Sequence, residues 1–133
     1  MKTIGVGLVG CGFVSELHMH AYRRVFGVPV SVVAVAAPGA RVVEFAQRHR
    51  IPKVHHHIED LLNDPDIDVI DICTPAVLHA PMIVEAMASG RHVICEKPFT
   101  GYFGRPDDPS PIGQKLLIPK LARSLTGPSV RTR

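Results

Sequence analysis

Ile4 to Ser15, IGVGLVGCGFVS, constrains this chain more than any other stretch: an apolar run passes directly into a glycine-rich turn and then into residues with helical spacing. A strand joined to a helix through glycines is how an α/β fold brings free helix N–H groups to the end of a sheet. Two glycine patterns overlap here. Gly5 to Gly10 fits G-x-G-x-x-G in full, whereas Gly10 to Ser15 puts serine in place of the third glycine. Context decides between them. The first register leaves only Met1 to Ile4 as strand and puts Gly12 at the helix start; the second takes Ile4 to Val9 as strand and begins the helix near Phe13. In the second register Gly10 permits a tight turn, Gly12 lets backbone approach a pyrophosphate, and Ser15 is small enough for close helix packing. Gly5 and Gly7 become strand residues. Such a turn also serves plain chain reversal, so alone it is a weak sign of a cofactor.

The remaining sequence repeats this alternation. Phe13, Leu17, Ala21 and Val25 are four apart and share one helical face. Val30 to Ala36 is a second run, apolar apart from Ser31, which suits a strand covered on both sides, as in a parallel sheet. Ala40 to Arg50 reads as a helix stopped by Pro52, Lys53 to His55 as a weak edge strand, and Ile58 to Asn63 as a short helix. Asp68 to Cys73 is a fourth strand and Thr74-Pro75 a turn. His79 to Ser89 is a helix with Gly90 as its C′ cap, and His92 to Cys95 is a fifth strand ended by Glu96-Lys97-Pro98. The order β-α-β-α-β-α-β-α-β predicts a single α/β domain with a parallel sheet and right-handed crossovers. Its span is residues 1–100. Residues 101–133, rich in Gly, Pro and Asp at their start, lack periodicity and read as an irregular linker or disordered tail.

Charge excludes some functions. The formal net charge of +3 arises from the tail, since Met1 to Thr100 carries 9 Lys and Arg against 10 Asp and Glu, and Gly101 to Arg133 carries 6 against 2. A basic tail with no Trp and few aromatics gives base stacking little support, so no nucleic-acid partner is expected. No apolar run approaches the roughly 18 residues of a membrane helix. Cys11, Cys73 and Cys95 follow no C-x-x-C spacing, which fits a reducing, cytoplasmic setting, with Cys73 and Cys95 as small core residues. Leu8 to Cys11 behind Lys2 is similar to a lipoprotein signal. That reading would delete the first strand of a sheet the rest of the chain still encodes, and its apolar part is at the short limit for a signal. No metal site is expected. His55, His56 and His57 point alternately to opposite sides of an extended segment, and His18 and His20 diverge on a helix.

VGCGFVSELH, DIDVIDICTPAVLH and ASGRHVICEKPF, in that order, resemble the nucleotide turn, the fourth strand with its following loop, and the fifth strand with its E-K-P signature in the Gfo/Idh/MocA oxidoreductases. The likeness covers roughly Lys2 to Phe99. It implies a Rossmann-type α/β domain, a doubly wound parallel sheet that binds NAD or NADP, in enzymes that move a hydride to or from a sugar, polyol or related carbon. By residue it implies Gly10, Gly12, Phe13 and Val14 at the pyrophosphate, and Thr74, Pro75 and His79 along the cofactor. Lys97 takes the place of the catalytic lysine, Glu96 lies near the nicotinamide ribose, and Pro98 fixes the turn, often through a cis bond in relatives. A histidine at position 79 could instead simply begin its helix.

Two departures qualify the resemblance. NAD-binding relatives end their second strand on a carboxylate that accepts the ribose hydroxyls, whereas this chain has Ala36-Ala37-Pro38-Gly39. Nothing there repels a 2′-phosphate and Arg41 is near, which leans toward NADP; Ala76 also stands where Asn is common. The second departure is length, because relatives continue into a substrate domain that supplies the acid or base. Hydride transfer from an alcohol needs a proton acceptor, so the chain reads as a truncated member, a frameshifted product among the explanations, inactive alone. The rival reading is a non-catalytic nucleotide-binding or scaffold module, half of a split enzyme completed by a separate substrate-domain chain. An uncovered carboxyl edge of the sheet would also favour self-association.

Overall fold

The computed structural model describes residues 1–99. Its elements are β1 (Ile4–Val9), α1 (Phe13–Tyr22), β2 (Val30–Ala36), α2 (Arg41–His49), β3 (Lys53–His55), α3 (Ile58–Leu62), β4 (Val69–Ile72), α4 (His79–Ala88) and β5 (His92–Cys95), with a single 3-10 turn at Ala76–Leu78. The five strands form one sheet in the order β3-β2-β1-β4-β5. Every pairing is parallel. The tail expectations for residues 101–133 lie outside the described residues.

Both faces of the sheet are covered, as the apolar strands require. One cluster joins Val6, Leu8, Val32 and Val35 to Met19 of α1 and to Val42, Phe45 and Ala46 of α2. The other joins Val9, Ala34, Ile70 and Ile72 to Ile58 and Leu61 of α3 and to Ile83 and Ala86 of α4. Burying a side chain such as Phe45 contributes about 2–3 kcal/mol, so α2 is held chiefly by this face. Past its end, Arg50 takes a left-handed conformation at φ 59° and the chain turns toward β3.

Glycine fixes how closely β1 sits to its neighbours. A Cβ on Gly5 would lie 1.8 Å from the Asp66 carbonyl oxygen. Gly5 is therefore a packing glycine, and the first two glycines of the full G-x-G-x-x-G match belong to the strand.

The structure orients α1 and corrects one expectation, that of Cys73 and Cys95 as core residues. The stripe Phe13, Leu17, Ala21 and Val25 faces outward, with Phe13 77% and Leu17 52% exposed. The buried residues of α1 are Ser15 and Met19, and the partly buried His18 and Tyr22 approach the sheet beside them. The reason is on β4, where Asp71 is fully buried under α1 and draws polar groups from the helix. Cys73 and Cys95 are half-buried at the ends of their strands, not fully enclosed in the core.

Candidate functional site

β1 lies between β2 and β4, so the chain crosses from one side of the sheet to the other at this pair, and a crevice opens beyond their carboxyl ends. The loop after β1 enters α1 there. Gly10 has φ 104°, and a Cβ on it would lie 2.6 Å from the Cys73 carbonyl oxygen. Glycine at this position thus lets the loops after β1 and β4 touch. Gly12 is the N-cap residue of α1, with extended backbone and no side-chain cap. A Cβ there would meet nothing within 4 Å.

The first intrahelical bond of this turn is from the Glu16 N–H to the Gly12 carbonyl. The N–H groups of Phe13, Val14 and Ser15 precede it, where a helix has no internal acceptors to offer. An uncapped helix N-terminus facing open space suits an anionic ligand such as a pyrophosphate. Phe13 is exposed and Val14 half-buried at the same corner, while Ser15 is buried below it. The Ser15 hydroxyl completes no hydrogen bond of ordinary geometry among the described residues.

The loops after β4 and β5 complete the crevice. Thr74 is half-buried and Pro75 exposed. His79 is 1% exposed, and its ring lies 2.8 Å from the Thr74 carbonyl through Nε2 and 2.8 Å from the Pro98 carbonyl through Nδ1. The ring sits between the two loops; one N–H donates to one of the two carbonyls, and only the imidazolium donates to both. The Lys97–Pro98 bond is cis. Glu96 is half-buried and continues the β5 ladder, its N–H donating to the Ile72 carbonyl, while Lys97 and Phe99 are exposed. The sequence-predicted residues from Gly10 to Val14, Thr74 to His79 and Glu96 to Lys97 all stand on this one edge, contributed by three loops.

Between α1 and β4 lies a polar cluster that sequence reasoning missed. Asp71 Oδ2 accepts from the Tyr22 hydroxyl at 2.7 Å and lies 2.8 Å from His18 Nδ1. The Cys73 thiol donates weakly to Asp71 Oδ1 at 3.6 Å. The other ring nitrogen of His18, Nε2, is 2.9 Å from Glu96 Oε1. Burial alone would depress the His18 pKa, but the hydrogen bonds and charges of Asp71 and Glu96 outweigh it and hold the ring above the ordinary 6.5. Burial, with Asp71 adding to it, pushes both the Cys73 thiol and the Tyr22 hydroxyl well up, so both keep their protons. Glu96 is held below the usual carboxylate value, first by its bond to His18.

His18, Asp71 and Cys73 bring one nitrogen, oxygen and sulfur atom within 4.8 Å of one another, which is compact enough to suggest a metal. Hydrogen bonds among His18, Tyr22, Cys73 and Asp71 already account for the arrangement. The only signals for this cluster in the sequence were the apolar strand's single Asp and the two polar residues His18 and Tyr22, four apart on α1.

Residues 4–105 match the model of the Gfo/Idh/MocA oxidoreductase family, NAD-binding Rossmann fold. An uncharacterized oxidoreductase, YrbE of Bacillus subtilis, is 36% identical over 97 residues, covering 73% of this chain and 28% of the relative. Levoglucosan dehydrogenase of Pseudarthrobacter phenanthrenivorans is 35% identical over 105 residues, covering 74% of this chain and 27% of that protein. A solved levoglucosan dehydrogenase, in complex with NADH and L-sorbose, superposes with a TM-score of 0.71 at 32% identity, over 75% of this chain and 29% of that one. KijD10, a 3-ketoreductase from Actinomadura kijaniata in complex with TDP-benzene and NADP, gives 0.65 at 29% identity, over 74% of this chain and 31% of that one. The chain thus spans less than a third of the length of these relatives.

Proposed function

As a member of the Gfo/Idh/MocA oxidoreductase family that spans its NAD-binding Rossmann domain, the chain, we propose, binds NAD(H) or NADP(H) across the β1–β4 crevice and serves hydride transfer on a sugar, polyol or related carbon. The observation that carries this reading is the uncapped N-terminus of α1 at the switch point, with open space over Gly12. Gly10, Gly12, Phe13 and Val14 hold the pyrophosphate through backbone N–H groups. Thr74 and Pro75 line the cofactor, and His79 sits between their loop and the turn at Pro98. The bound nicotinamide supplies or accepts the hydride. Glu96 stands at its ribose, and Lys97 directs its charged end toward the substrate oxygen that gains or loses charge.

NADP is the preferred dinucleotide in this proposal. After β2 come Ala37, Pro38 and Gly39, with no carboxylate to accept ribose hydroxyls, and Arg41 is exposed at the start of α2. NADP in a complex of KijD10 and NADH in one of levoglucosan dehydrogenase make both cofactors reasonable for such a domain. Half-buried free cysteines suit a reducing, cytoplasmic setting.

Hydride transfer from an alcohol needs a proton acceptor, a role this reading gives to none of the described crevice residues, so the 133 residues are expected to bind without turnover. Exposed Phe13, Val77, Leu78 and Phe99 surround the site, a rim suited to self-association or to a separate chain that carries the substrate-binding part. Calorimetric titration of NADPH and NADH into the chain, followed by assay on a polyol panel, tests the reading. We expect saturable heat, greater affinity for NADPH and no turnover. Absence of heat with both dinucleotides would remove the cofactor role.

A further inference from the structure

We propose that His18 is a positioning residue for Glu96: charged, it clamps Glu96 against buried Asp71, and on losing its proton it releases Glu96 alone. The inference rests on the cofactor reading only for its consequence at the ribose; the clamp itself stands on the geometry of three side chains.

Both ring nitrogens of His18 face carboxylate oxygens, Asp71 at 2.8 Å and Glu96 at 2.9 Å. A neutral imidazole has one N–H, so it can donate to only one of them and must turn a lone pair on the other. Only the imidazolium satisfies both. Loss of the proton then forces a choice, and burial decides it. Asp71 is 0% exposed and Glu96 31%. Without His18, Asp71 would keep only the Tyr22 hydroxyl and the weak Cys73 thiol, with no water to replace the lost donor, whereas Glu96 can rotate into solvent. The proton left on the neutral ring is therefore that of Nδ1, bound to Asp71, and Glu96 faces the Nε2 lone pair.

The other titratable and charged groups around the ring do not compete for this role. From α1, the Tyr22 hydroxyl is spent on Asp71 Oδ2. From the end of β4, the Cys73 thiol lies 3.3 Å from His18 Nδ1 and donates weakly to Asp71 Oδ1. From the end of β5, Cys95 donates to the Glu96 carbonyl, and the neighbouring Lys97 is exposed. Cys11, after β1, packs partly buried against the apolar cluster on this side of the sheet. Neither β1 nor β2 carries a titratable side chain. Through Glu96, the charge on His18 connects the middle of α1 to the turn that carries Lys97. Ordering at the nicotinamide end thus depends on pH even though no group of the clamp except Glu96 reaches the crevice.

Nitrogen and carbon NMR of ring-labelled histidine in the full chain tests the clamp without any cofactor. His18 should titrate above 6.5, end as the Nδ1–H tautomer, and titrate lower in Glu96→Gln. An ordinary or depressed midpoint, an Nε2–H tautomer, or an unchanged midpoint in Glu96→Gln would overturn the clamp. A thiolate charge-transfer band on adding one equivalent of cobalt(II) would also overturn it, by making the cluster a metal site. The second measurement is NADPH affinity against pH. It should fall about tenfold as His18 loses its proton, the effect of one lost charge-assisted hydrogen bond, and Glu96→Gln should flatten the profile. A flat profile in the unsubstituted chain would overturn the positioning role. If neither NADPH nor NADH binds, the cofactor reading and the positioning role both fail, while the NMR result separately decides whether the clamp exists.

Discussion

The two ends of the parallel sheet are built from opposite materials. At the amino end, charged side chains neutralise one another: Lys2 pairs with Asp68 at 2.6 Å, Lys53 with Asp64 and Asp66, each at 2.7 Å, and Arg91 donates to the carbonyls of Ile67, Leu62 and Asp64. Asp68 also accepts from the Gly5 N–H. A cavity of about 330 Å³ lies here, lined by residues that include Lys2, Asp68, Arg91 and His92. Its principal charges are already spent on protein partners, which leaves little to select a ligand. At the carboxyl end the polar groups are either tied into the brace and clamp of His79 and His18 or left free on the N-terminus of α1. One end closes the fold, and the other holds donors ready in a fixed frame.

Glycine substitutions break this contrast most directly. Gly5→Ala drives a Cβ into the Asp66 carbonyl at the amino end. We expect a loss of about 3 kcal/mol or more, enough to unfold a domain of this size, read as a collapse of the urea midpoint. Gly10→Ala, which combines a φ of 104° with a Cβ 2.6 Å from a carbonyl oxygen, should cost about 2–3 kcal/mol. Gly12→Ala meets no atom and should stay within about 0.5 kcal/mol of the parent. Its dinucleotide affinity should nonetheless drop about tenfold, because the added methyl occupies the approach to the helix N-terminus. If Gly12→Ala binds as well as the parent, the pyrophosphate is elsewhere.

A smaller effect is expected at Tyr22. Phenylalanine keeps the packing but removes a donor from fully buried Asp71, a change worth about 1–2 kcal/mol by urea denaturation. A neutral result would mean that His18 and Cys73 satisfy Asp71 without help.

These contrasts show what a linear reading can reach. β1 and β2 coincide with the apolar runs because central parallel strands are largely buried on both faces; β5, an edge strand with alternating exposure, was legible from its place between Gly90 and Glu96-Lys97-Pro98. Choosing the second glycine register needed only the order strand, turn, helix, and Gly10 and Gly12 stand at that junction. The rotation of α1 was not legible, since the spacing of Phe13 and Leu17 shows that they share a face and not which way it turns. What sets the rotation is Asp71, paired with His18 across 53 residues, and Glu96, paired with it across 78. Reading His18 only as a partner for His20 hid this. Local spacing cannot reveal a partner brought close by the fold.

The ends of the sheet should also differ in pH response. At the amino end Asp64 and Asp68 are held below 3.8 by Lys53 and Lys2, and Lys53 above 10.5 by Asp64. Depressed carboxylates stabilise above their unfolded pKa and fail as pH falls through the folded value, and a raised lysine fails only as pH rises through its own. The amino end is therefore fully paired from about pH 4 to above 10. At the carboxyl end Glu96 is depressed from 4.5 and His18 raised from 6.5. The His18 contribution is complete below 6.5 and is lost as pH rises through its raised value, so this end has the narrower window. Amide exchange, corrected for intrinsic rates, reads both at once: between pH 7 and 9 the Glu96 N–H, bonded to Ile72, should lose protection severalfold, and the Gly5 N–H, bonded to Asp68, should not. Equal loss at both amides would mean that opening is global and that His18 does not govern the turn at Lys97.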